Sequence, residues 1–225
     1  MKPRVCLSLV ALCCPFTFAQ VPATGHGHAS TAAHTTTSDV GFSYSLPADW
    51  EFVDMNASFS AAQKLAQQSA GDDELKHGAA CLQIVLTAHH GTPGSMVAAV
   101  ALPSACVGKE MTAPDLPGFG MASAQGIQMG FDVGDPSVAD YSLGSHKMWA
   151  ARAKGNPSGH SELQYTVETV CTLVKKGAVC WLALAADDSA LATFEQGSVT
   201  LDKEAPSPLV PATAFLKPPA AGATP

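Results

Sequence analysis

The chain is 225 residues long, 47% apolar and only 14% charged, with a formal charge of −7 at pH 7. That length fits one domain with tails, and the apolar share is ample for a packed core. So few basic residues exclude a nucleic-acid binder, which needs clustered Lys and Arg against phosphates, and the acidic balance disfavours anionic membrane surfaces.

Residues 1–19 read as a secretory signal peptide. Lys2 and Arg4 form a positive start, Val5 to Phe18 an apolar stretch, and Thr17-Phe18-Ala19 a small-residue cleavage site. The stretch is too short for a comfortable bilayer span, and no later stretch is long and apolar enough, so the chain is not expected to span a membrane. A lipid anchor at Cys13 or Cys14 competes with plain cleavage. Lipidation wants a small residue before the cysteine, whereas Leu12 precedes Cys13 and Cys13 precedes Cys14. Cleavage after Ala19 removes two positive charges and no acid, which moves −7 to −9. The expected location is secreted or periplasmic.

Residues 20–38 are small and polar with no apolar period, and are expected to form a flexible tail. His26, His28 and His34 in it offer loose ligands for a transition metal; a plain linker is the alternative. A single globular domain is expected over 39–204. Phe42-Ser43-Tyr44-Ser45-Leu46 alternates and predicts a half-buried strand stopped by Pro47. Ser58 to Ser69 predicts a helix with Phe59, Ala62, Leu65 and Ala66 on one face, capped by Asn56 or Ser58. Gly71-Asp72-Asp73-Glu74 predicts a loop.

Cys81 to Thr87 and Met96 to Leu102 predict two strands, with His89-His90-Gly91-Thr92-Pro93-Gly94-Ser95 as the turn between them. Pro114 to Gly130 predicts a helix with Leu116, Phe119, Ala122, Ile127 and Phe131 on its stripe, weakened by Gly118, Gly120 and Gly126. Val138 to Leu143 and His146 to Arg152 predict a hairpin turned at Gly144-Ser145. Asn156-Pro157-Ser158-Gly159 predicts a turn. Glu162 to Val174 and Val179 to Ala185 predict a second hairpin turned at Lys175-Lys176-Gly177. Asp187-Asp188-Ser189 caps a closing helix that contains Leu191 and Phe194 and ends at Gly197. Residues 205–225, rich in Pro and Ala, are expected to be a disordered tail. The sum is an α+β domain: an antiparallel β-sheet meander flanked by helices.

Beyond the leader four cysteines remain: Cys81, Cys106, Cys171 and Cys180. An even count in an exporting compartment predicts two disulfides, with three pairings open in principle. Cys171 and Cys180 stand symmetrically about Lys175-Lys176, and Cys81 and Cys106 bracket the first hairpin near its open ends. These placements favour 81–106 and 171–180. No C-x-x-C pair and no ligand-spaced histidine supports a metal or catalytic thiol.

Four phrases resemble the PsbP-like fold, an α/β/α sandwich found in the extrinsic photosystem II protein and in many bacterial exported domains. They are Phe42-Ser43-Tyr44-Ser45-Leu46-Pro47-Ala48-Asp49-Trp50, Leu143-Gly144-Ser145-His146, the strands around Lys175-Lys176-Gly177, and Phe194-Glu195-Gln196-Gly197-Ser198-Val199. The resemblance spans residues 39–202. It implies a binding or assembly module in an exported setting and brings no shared catalytic residues. The four cysteines and the histidine-bearing tail are not part of the general pattern.

Candidate sites are sparse. Asn156-Pro157-Ser158-Gly159-His160 lacks the first glycine of a nucleophile elbow and reads as a turn. His89 and His90 are adjacent, so on a strand they point to opposite faces and cannot easily share an ion. Asp72-Asp73-Glu74 and Asp187-Asp188 do not fit a calcium loop. Trp50, Trp149 and Trp181 read as core. Asn56-Ala57-Ser58 matches a glycosylation sequon, meaningful only in a eukaryotic secretory pathway. No catalytic, cofactor or metal residue is assigned. The expected function is a non-enzymatic exported domain that binds a protein or small ligand. One alternative is an enzyme built around His146, His160 and Glu162; another is a metal-binding exported protein using the tail histidines.

Overall fold

The computed structural model describes residues 33–53, 81–91, 94–106, 110–128 and 130–216. In chain order their elements are β1 (His34–Ser38), β2 (Phe42–Leu46), β3 (Glu51–Phe52), β4 (Gln83–His90), β5 (Ser95–Pro103), α1 (Leu116–Gln128), β6 (Phe131–Val133), β7 (Ser137–Leu143), β8 (His146–Pro157), β9 (Tyr165–Val174), β10 (Gly177–Ala185), α2 (Asp188–Gln196), β11 (Ser198–Leu201) and β12 (Ser207–Pro208). The leader, the helix expected over 58–69, the loop at 71–74 and the sequon lie outside the described residues.

Strands β7 to β10 form the expected antiparallel meander, and the hairpin β4–β5 joins it through β5 beside β10. With β3 on one edge and β6 on the other, the sheet holds eight strands among the described residues. The central strands β9 and β10 are buried along almost their whole length, as strands covered on both faces must be. Alternation sends their side chains to two cores. On one side Trp149, Ala151, Cys171, Cys180 and Leu182 pack under Leu116 and Phe119 of α1. On the other Val170, Val179, Trp181 and Ala183 pack under Leu191 and Phe194 of α2 and under Phe42, Tyr44 and Leu46 of β2. The architecture is α+β with a helix on each face, and a smaller sheet, β1-β2-β11-β12, shares the α2 face.

Local chemistry sets the boundaries. Asp187 is the N-cap of α2, its Oδ1 accepting from the Ala190 amide at 2.8 Å. Gly144 takes the left-handed conformation (φ 54°) that the β7–β8 turn requires. In α1 two glycines differ in role. A Cβ on Gly120 would stand 2.1 Å from Trp149 Cζ3, whereas one on Gly118 meets nothing within 4 Å. Gly120 is what lets the helix lie on the indole. Gly120→Ala is expected to destabilise the fold by about 1–3 kcal/mol through overpacking. Gly118→Ala is expected to stabilise it by up to about 1 kcal/mol. Urea unfolding of the two variants checks both signs.

Several boundaries differ from the sequence reading. The tail expected over 20–38 gives way at His34, because the β-branched run Thr35-Thr36-Thr37 pairs with β2. The tail expected from 205 does not hold for residues 207–210. Ser207–Pro208 is a strand, and Leu209 and Val210 are buried core residues that the surrounding Pro and Ala disguise. Strand β8 runs through Pro157 before turning, since β6 pairs with it there. His89 and His90 belong to β4, extended by pairing with β3 and β5 rather than turning. β9 starts at Tyr165 rather than Glu162, since residues 160–164 fold back, with the Leu163 amide on His160 O. Among the described residues no helix is long and apolar enough to cross a membrane.

Candidate functional site

Strand β8 carries the polar residues of interest along its length. At its start His146 is buried, and Nδ1 donates to Leu173 O at 2.9 Å. Its Nε2 faces Asp202 Oδ2 and Glu204 Oε1, each at 3.7 Å. Both acids are otherwise engaged. Asp202 accepts from the Lys175 amide at 2.9 Å, and Glu204 accepts from the Ser145 hydroxyl. The Ser145 hydrogen bond, first among several causes, holds the Glu204 carboxyl below its usual range. Asp202 and Lys203 reach these positions with φ of 48° and 69°, a tight left-handed turn made by non-glycine residues. The cluster therefore ties the Ser145 turn and the Lys175 turn to the exit of β11.

At the far end of β8, His160 and Glu162 form an exposed pair at 3.1 Å. The alternative grouping of His146 with His160 and Glu162 is not what the fold builds. The strand between them rises about 3.3 Å per residue, so its two ends lie roughly 35 Å apart. His89 and His90 pair separately with Glu51 and Asp49, at 3.5 and 3.2 Å. Ser158 donates to Asp132 Oδ1 at 3.1 Å, in the turn the sequence indicates. Trp50, Trp149 and Trp181 are all core. Among the described residues no group of three or more His, Cys, Asp or Glu is placed to hold a metal ion. His34 lies on β1 against the Phe52 ring, while His26 and His28 lie outside the described residues.

The cluster that sequence reasoning missed sits mid-strand. Arg152 of β8 and Glu168 of β9 are directly opposed, and Arg152 Nε donates to Glu168 Oε2 at 2.8 Å. A second carboxylate, Glu195 of α2, binds the same guanidinium through Nη2. The Phe215 ring covers that guanidinium at 4.0 Å. Glu168 is fully buried, and its Oε1 has no hydrogen-bond partner. Burial pushes the Glu168 carboxyl up, opposed by Arg152 and reinforced by Glu195, to about 7. Burial, and then the Glu168 charge, push the phenols of Tyr44 and Tyr141 up as well. One signal was available in the sequence: Glu168 is the only acid in an otherwise apolar and threonine-bearing strand.

The cysteines pair at disulfide distance as Cys81–Cys106 and Cys171–Cys180, with Cα separations of 5.7 and 4.2 Å. The first joins the start of β4 to the end of β5. The second crosses between directly opposed residues of β9 and β10, beneath α1.

Beside α1 a shallow groove opens over the sheet, with Trp149 and Ala151 as its floor and Met121, Val133 and Pro136 along its rim. None of its described lining residues is titratable. On β7, Val138 pairs with Ala151 and leaves the side chain 55% exposed next to that floor.

No protein-family model matches the chain, and comparison with curated proteins finds no match. Among solved structures, the solution structure of cyanobacterial PsbP (CyanoP) from Synechocystis sp. PCC 6803 is similar to it. The identity is 12% and the TM-score 0.41, over 77% of this chain and 91% of that one.

Proposed function

We propose that the chain is an exported, disulfide-stapled domain that works by binding or assembly rather than by catalysis. The observation that carries the binding half is the groove beside α1. It is apolar, rimmed by the partly exposed Met121, and adjoins the exposed Val138. Such a surface suits contact with a protein or small apolar ligand. The export half rests on the leader and on the four paired cysteines, which keep a covalent bond only in an oxidising compartment. The polar clusters are spent on joining segments of the chain.

Two measurements test the reading. The mature protein is expected to begin at Gln20 and to have an intact mass lower by four hydrogens than its reduced form. A photo-crosslinking residue at Met121 is expected to yield a discrete adduct in extracts of the exporting cell, and one at Lys203 is expected to yield none. An unprocessed N-terminus with free thiols ends the export half; silence at both crosslinking positions ends the binding half.

A further inference from the structure

Glu168 is surrounded from every side, and its neighbours do not balance. From β8 comes Arg152, from α2 Glu195, from β2 Tyr44 and from β7 Tyr141. Opposite it on β10 stands Ala183. One guanidinium therefore serves two carboxylates. Neither phenol can supply the missing proton, because Tyr44 donates to Phe194 O at 2.9 Å and Tyr141 to Leu209 O at 2.8 Å. With both acids ionised, the cluster would carry a net negative charge, with Glu168 itself buried and its Oε1 unpaired.

The same residues hold the C-terminal segment. Glu195 O accepts from the Val210 amide at 2.9 Å, and Gly197 O accepts from Leu209 at 3.0 Å. Tyr141 holds Leu209 O, and Phe215 lies on Arg152. Of the groups around Glu168, Arg152, Glu195 and Tyr141 thus each touch this segment or anchor it through their own backbone, while Tyr44 holds Phe194 of α2.

We propose that Glu168 is the proton-binding element of a clasp: with a proton shared between Glu168 and Glu195 the segment 207–216 is seated, and without it the segment loosens from α2 and β8. The direction of the Glu168 shift agrees. A carboxyl whose folded value lies above its ordinary one binds its proton more tightly in the folded state. The stability it contributes is complete below the ordinary carboxylate range and is lost as pH rises to about 7. Ionised Glu168 and Glu195 repel each other across Arg152, and Glu195 carries Val210 with it.

Amide hydrogen exchange of Leu209 and Val210 in the full protein, corrected for intrinsic rates, reads the clasp. Protection is expected to fall about tenfold or more between pH 5.5 and pH 8, the response to at least one unit of proton linkage. The deciding comparison is Glu168→Gln, which keeps the shape without the charge. That variant is expected to hold its protection across the range. A flat profile in the unaltered protein, or an undiminished fall in Glu168→Gln, overturns the proposal. Should Glu168→Gln not fold, carbon-13 carboxyl titration of Glu168 in the unaltered protein decides. A midpoint within the ordinary carboxylate range overturns the clasp, and one near neutrality sustains it.

Discussion

Arg152→Met is expected to cost about 3–5 kcal/mol of stability at pH 8 and distinctly less at pH 5. Methionine fills similar space on β8, so the loss is electrostatic. It removes the one cation that faces Glu168 and Glu195 among the described residues, and leaves Glu168 buried without that counterion. At pH 8 that carboxylate must ionise uncompensated or hold a proton against the solution. At pH 5 it is neutral and needs no partner, since burial already pushes it up to about 7 with Arg152 present. Urea unfolding at the two pH values measures the difference. An equal loss at both would mean that Arg152 stabilises by packing its stem and Phe215 alone.

The second large effect is at Trp181. It is fully buried on β10, with the Phe42 ring centroid 5.2 Å away edge-on and Tyr44 at 6.1 Å. Trp181→Ala is expected to destabilise by about 3–5 kcal/mol, because the two sheets and α2 meet on this ring and cannot close the void. Trp181→Phe is expected to cost far less. The indole Nε1 has no hydrogen-bond partner, so losing it relieves a buried donor while the ring remains. If both variants lose equally, the shape of the indole itself is required. If neither does, the small sheet is not held by this contact. Thermal unfolding separates these outcomes.

Much of the fold was legible because its signals are local. The alternation Phe42-Tyr44-Leu46 fixes the buried face of β2, and Lys175-Lys176 between two apolar runs can only be a turn. Asp187 before Leu191 and Phe194 marks the start of α2. The favoured cysteine pairing rested on those hairpins, with three pairings open in principle. What stayed hidden depends on residues far apart in the chain. Leu209 and Val210 look like any two apolar residues in a Pro- and Ala-rich tail, and only the exit of α2 gives them a place. Arg152 and Glu168 sit on two separate predicted strands, and only the paired β8 and β9 with α2 and Phe215 over them make one cluster. The candidate enzyme site failed for the same reason: proximity of His146 and His160 in sequence was stretched out by the length of β8.

The cross-strand position of Cys171 and Cys180 has a consequence for how the central ladder can assemble. Shifting β9 against β10 by one residue would send one sulfur to the α1 face and the other to the α2 face. A shift of two would carry the sulfurs several ångströms apart along the strands. Once joined, the pair acts as an alignment pin that admits a single registration of the hairpin. Every pair of β9 and β10 outward from it, Glu168 against Ala183 included, inherits its neighbour from that choice.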